Sequence, residues 1–81
     1  MKTVMIDKKA TAKRLKKMFL ECGIKPEDVK EALQFESVQA VYKWLNPNNK
    51  TLPSIDSIVQ LAHLMNCPLD DILVTKEIEI R

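Results

Sequence analysis

Glycine is almost missing from this chain: one residue in 81, with Phe, Trp and Tyr together at 5%. So little Gly argues against a sheet built on tight Gly-rich turns, and an apolar fraction of 46% argues against disorder. A small all-α domain is the expectation, single by length, with a helical core over about residues 7–74 and a tail over 75–81. Cys22, Cys67 and His63 are the only Cys and His, and none is paired at a zinc-site spacing such as CxxC. The cysteines therefore read as reduced small hydrophobes, and no metal is expected. No apolar run reaches the roughly 18–20 residues of a membrane span. The start MKTVMIDKKA also lacks a signal peptide's apolar segment, so the chain reads as cytoplasmic. There is no Gly-rich phosphate loop and no nucleophile with a base and an orienting partner, so no enzyme, cofactor or small-molecule ligand is expected. Asp70 and Asp71 read as charges at a helix N-terminus, not as an acid/base pair.

The charge is unevenly placed. Residues 1–50 carry eleven Lys and Arg against six Asp and Glu, a balance of +5, and residues 51–81 carry two against five, a balance of −3. A basic half beside an acidic half is what a polyanion-binding face produces.

Helix signals divide the chain into five short segments. The first helix spans Lys8 to Cys22, with Asp7 as N-cap, Gly23 as the left-handed stop, and Leu15, Met18, Phe19 and Cys22 on one buried face. Its other face carries Lys9, Lys13, Arg14, Lys16 and Lys17. A second helix opens at Pro26, buries Val29, Ala32 and Leu33, and ends near Gln34. Ser37 caps a third, from Val38 to Leu45, so two short helices are joined by a tight turn. The segment PNNKTLP breaks the helix, and Ser54 caps a fourth from Ile55 to Met65, with Ile55, Ile58, Leu61, Ala62 and Met65 inward and Asn66 as its stop. Pro68 opens a fifth of one to two turns, turning Leu69, Ile72 and Leu73 inward. KTVMI and KEIEIR at the two ends alternate as strands do, with Val4 and Ile6 on one side of the first and Ile78 and Ile80 on one side of the second.

In SVQAVYKWLN, residues 37–46, Val41 and Trp44 lie three apart and face the core with Ala40 beside them. Val38, Gln39, Tyr42, Lys43 and Asn46 fall outside. An amide such as Gln39 can donate and accept at once, matching N6 and N7 of adenine, and Lys43 can donate to O6 and N7 of guanine. Val38 offers an apolar contact to a thymine methyl, and Ser37 and Tyr42 suit phosphate oxygens.

SVQAVYKWLN, followed by a loop and then LPSIDSIVQLAHLMNCPLDDILV, resembles the helix-turn-helix domain of the phage Cro and lambda-repressor family, also called the XRE family. The likeness covers roughly Thr11 to Val74. It implies a five-helix domain whose third helix enters the major groove of double-stranded DNA, in a small transcriptional regulator of bacterial or phage type. Beside Ser37 and Tyr42, the expected phosphate contacts are Lys13, Arg14, Lys17, Lys25, Asn46, Asn48, Asn49 and Lys50. The family usually has Gly in the turn after helix two, where this chain has Gln34 or Phe35, and again after the recognition helix, where it has Pro47, Asn48 and Asn49. Asn48 or Asn49 can replace the second, since Asn tolerates the left-handed conformation. Leu45 stands where many relatives have Glu, which leaves Arg14 without that partner and freer to meet a phosphate. The first and fifth helices lie side by side in this family, so the two strand-like ends should emerge together and pair, within one chain or between two. Related regulators bind two half-sites roughly 34–36 Å apart as dimers, which makes a homodimer the expectation. The alternative is a protein-interaction module, an antitoxin or adaptor on the same fold, and the two differ in how steeply binding falls with salt.

Overall fold

The computed structural model describes residues 1–49 and 51–80, which form five helices and one two-stranded sheet. In chain order these are β1 (Lys2–Ile6), α1 (Lys8–Cys22), α2 (Pro26–Ala32), α3 (Gln39–Leu45), α4 (Ile55–Leu64), α5 (Leu69–Ile72) and β2 (Thr75–Glu79). The expected all-α fold with a small terminal ribbon is the one observed. Asp7 caps α1 by accepting from the Ala10 backbone N–H at 3.0 Å, and Ser54 caps α4 by accepting from the Ser57 N–H at 3.2 Å. Ahead of α2 the Asp28 carboxylate reaches back to the Lys25 N–H at 2.9 Å.

Three helices stop in the same way. Gly23, Gln34 and Asn66 take the left-handed conformation, with φ of 68°, 59° and 52°. After each, the next backbone N–H returns to a carbonyl five residues back: Ile24 to Phe19 at 2.9 Å, Phe35 to Lys30 at 2.9 Å, Cys67 to Ala62 at 3.0 Å. The residue making that bond is each time an apolar one that packs back on the core. Gln34 thus takes the left-handed backbone role that suits Gly in the turn before α3, and does so with a Cβ that makes the conformation costly. The later turn follows other rules. Asn48 and Asn49 are not left-handed, as among the described residues Gln34 and Asn66 alone have positive φ besides glycine. The Asn46 side chain closes that turn, accepting from the Asn48 N–H at 3.0 Å, and so removes the need for a left-handed residue.

Leu15 and Phe19 of α1, Val29 of α2, Val41 and Trp44 of α3, Ile58, Leu61 and Ala62 of α4, Met65 and Ile72 make one buried cluster. Four residues expected in it are exposed: Cys22, Ala32, Ile55 and Leu69. Ile55 lies about 70° from the centre of the α4 stripe at 100° per residue, too far round to be covered. Cys22 has the right angle but is the last residue of its helix, and Leu69 is the first of a helix only one turn long. Thr11, a polar residue, is buried where none was expected. Its hydroxyl donates to the Val74 carbonyl at 3.3 Å and accepts from the Val74 N–H at 3.0 Å.

That contact roots the terminal ribbon, together with the Asp7 N–H to the same carbonyl at 2.7 Å. Beyond it β1 and β2 pair antiparallel within one chain, Lys2 opposite Glu79, Val4 opposite Glu77 and Ile6 opposite Thr75. Directly opposed residues share a face, so Val4 and Ile6 lie with Glu77 and Thr75, while Ile78 lies opposite Thr3 on the face of Met5. Val4 and Ile6 therefore point to the side opposite Ile78 rather than packing with it. Only Ile6 and Ile78 are half-buried. The ribbon stands away from the helices, and the radius of gyration of 13.2 Å exceeds the about 12 Å of a compact chain this long.

Candidate nucleic-acid interface

Ser37 sets the start of the third helix from outside it. Its hydroxyl oxygen accepts from the Gln39 N–H at 3.1 Å, and Val38 takes a helical φ of −76° without a side-chain cap bond of its own. The helix begins one residue later than expected, at Gln39. Val41 and Trp44 anchor its inner face, and the Trp44 ring meets Phe35 edge-on with centroids 5.5 Å apart and planes at 77°. That pair ties α3 to the turn before it. With the inner side so held, Gln39, Tyr42, Lys43 and Asn46 are all exposed, and Val38 is half-buried at the edge.

Two of the expected phosphate contacts are already engaged. Tyr42 donates from its hydroxyl to Glu27 Oε1 at 3.0 Å, linking α3 to the first turn of α2. That hydrogen bond and the Glu27 charge beside it raise the Tyr42 pKa above its usual value of 10.0. Arg14 is not freed by Leu45: its Nη1 donates to the Asp71 carbonyl at 2.9 Å, at the end of α5. This bond satisfies a carbonyl that α5 leaves without an intrahelical partner.

The lysines of α1 lie elsewhere on that helix. Lys13, Lys16 and Lys17 line a hollow with Leu20 and Pro47, the residue that follows the end of the third helix. Lys16 also borders, with Tyr42 and Asn46, a larger cavity of about 560 Å3 whose walls are Phe19, Leu20, Ile24, Pro26, Leu45 and Pro47. Lys16 was not among the residues singled out from the sequence, and only its place on a basic helix face could have signalled it. Among the described residues the ion pairs are Met1 with Glu79 and Lys2 with Glu77, both in the ribbon. The described α1 lysines and Lys43 therefore carry charge not paired with a carboxylate among the described residues. Lys25, Ser37, Asn48 and Asn49 are exposed as well, while Lys50 lies outside the described residues.

Away from this face, burial pushes the Cys67 thiol pKa up, with Asp71 and Cys22 near enough to add to the shift. No helix among the described residues is long and apolar enough to cross a membrane. Compared with known proteins, the chain matches a family model described as helix-turn-helix over residues 15–72. No curated protein and no solved structure matches it.

Proposed function

The chain belongs to the helix-turn-helix family, in its Cro and lambda-repressor-like branch of DNA-binding regulators, and on that premise we propose that it binds specific double-stranded DNA sites as a homodimer of single-domain subunits. The observation that carries this reading is the division of α3. One side is fixed by Val41 and Trp44, and the other holds out the side chains of Gln39 and Lys43, for which the described residues offer no partner. In the major groove Gln39 pairs with adenine and Lys43 with guanine, with Val38 against a thymine methyl. Lys13, Lys17, Lys25 and Lys50 serve the phosphates, aided by Ser37, Asn46, Asn48 and Asn49. Tyr42 and Arg14 act as braces, the first holding α3 to α2 and the second holding α1 to α5.

The dimer contact assigned here is the ribbon face of Met5, Ile78 and Ile80. Met5 and Ile80 are exposed, and a lone two-stranded ribbon is marginal in water. A second reading, a protein-binding module, is favoured by one feature, the apolar cavity between Leu20 and Leu45. Selection from a random duplex library followed by titration of the winning site separates the two. Gln39→Ala and Lys43→Ala should each cost about 1–3 kcal/mol on that site and less on random DNA. Lys13→Ala and Lys17→Ala should instead weaken all sequences and lower the salt slope by about one. Failure to enrich any sequence, with binding that ignores salt, would favour the protein-binding module.

A further inference from the structure

Four sulfur-bearing side chains line one hollow that DNA recognition does not use. A cavity of about 310 Å3 lies between the second half of α1 and the α4–α5 turn, and Met18, Cys22, Met65 and Cys67 line it together with Arg14, Glu21 and Asp71. Met18 and Cys22 are four apart in α1, hence one above the other on a single face. Met65 and Cys67 flank the left-handed Asn66, whose turn delivers Cys67 to the end of α1. Both cysteines are thiols, Cys22 exposed and Cys67 half-buried, whereas Met65 is buried in the core. A Cys kept for packing belongs inside, and Cys22 is not.

We propose that Cys22, Cys67 and Met18 form a binding site for a soft monovalent metal ion, copper(I) being the ion its chemistry fits. Two thiolates and a thioether match copper(I) and give little to a hard divalent cation. Among the described residues no three His, Cys, Asp or Glu side chains converge, so the set cannot be completed by the nitrogen and oxygen ligands that zinc or calcium takes. On binding, three Cu–S bonds form, two to thiolates and one by donation of the Met18 thioether lone pair, and two S–H bonds break, each thiol passing its proton to solvent, with no change of oxidation state. The bis-thiolate copper(I) unit carries one negative charge. The Arg14 guanidinium on the same cavity wall, steadied by its bond to the Asp71 carbonyl, opposes that charge and that of Glu21 and Asp71 on the rim. The ion would clip α1 to the α4–α5 turn, a link that otherwise rests on packing and the Arg14 bond.

The test is anaerobic titration of the reduced full chain with copper(I) against the chelator bathocuproine disulfonate. One ion per chain is expected, without a rise in mass, protecting both thiols from alkylation and raising the thermal midpoint. Cys22→Ser and Cys67→Ser should each weaken binding by more than about 100-fold, since direct thiolate ligands outweigh the 10–100-fold of outer-shell partners, and Met18→Leu by about tenfold, since a neutral thioether is the weaker donor. Val59→Thr, at an exposed position of α4, is the control and should leave binding unchanged. Far-UV circular dichroism of each variant confirms that the helices persist. Two ions per chain, a mass increase on titration, or either single Ser variant binding as tightly as the parent would overturn the site. Unchanged affinity in Met18→Leu would overturn its three-sulfur form.

Discussion

The helical body and the terminal ribbon are held by opposite means. Leu15, Val29, Val41, Leu61 and Ile72 have no exposed surface, and each comes from a different helix. In the ribbon, Val4 is 61% exposed, Met5 45% and Ile80 44%. The body rests on burial, while the ribbon rests on cross-strand hydrogen bonds, two surface ion pairs and one joint at Val74. Surface ion pairs contribute little, so the ribbon of a single chain depends on the body, and the body does not depend on the ribbon. Its exposed Met5 and Ile80 are the ground on which the dimer contact is proposed.

The sharpest way to break that contrast is to damage the body. Leu61→Ala should lower stability by about 2–5 kcal/mol in urea unfolding, because the site is fully enclosed and leaves a cavity. A loss under about 1 kcal/mol would mean the core is looser than its burial implies. The joint comes next. Thr11→Val leaves the Val74 N–H without its acceptor and should cost about 1–3 kcal/mol, with hydrogen exchange speeding in residues 2–6 and 75–79 before it does in α4.

A smaller effect of opposite sign sharpens the account of the helix stops. Gln34→Gly should stabilise by about 0.5–1 kcal/mol, since the left-handed cost of a Cβ exceeds the extra chain entropy of Gly. Gly23→Ala, where nothing lies within 4 Å of an added Cβ, should lose stability through its φ of 68° alone. The smallest stability change belongs to the ribbon surface. Met5→Lys with Ile80→Lys should stay within about 0.5 kcal/mol in the monomer, as exposed substitutions do, yet should halve the mass seen by light scattering if that face joins two subunits. A mass that does not respond to these changes would place the dimer contact elsewhere.

Much of the fold could be read in short stretches because its signals are local. Asp7 and Gly23 bracket α1 to the residue, and Ser54 and Asn66 bracket α4 to within one. The recognition helix was legible too, since Ser37, Val41 and Trp44 lie within eight positions and fix both its start and its inner face. The errors share a cause. Ile55, Leu69 and Cys22 fit the helical period, yet period gives the direction of a side chain and not whether another element reaches far enough to cover it. Arg14 fits the basic face of α1 as well as Lys13 does, and only the approach of α5 separates them.

What the sequence by itself determined, then, is the set of helices, the caps Asp7 and Ser54, the stops Gly23 and Asn66, and the outward face of Gln39 and Lys43, because each depends on atoms a few residues apart. Only the tertiary structure decided the joint of Thr11 with Val74, 63 positions apart, the strand register that sends Val4 and Ile78 to opposite faces, and the hollow that Cys22 and Cys67 share. Such pairings form once the chain is closed around its core, and no spacing along the sequence encodes which distant groups that closure brings within a bond's length.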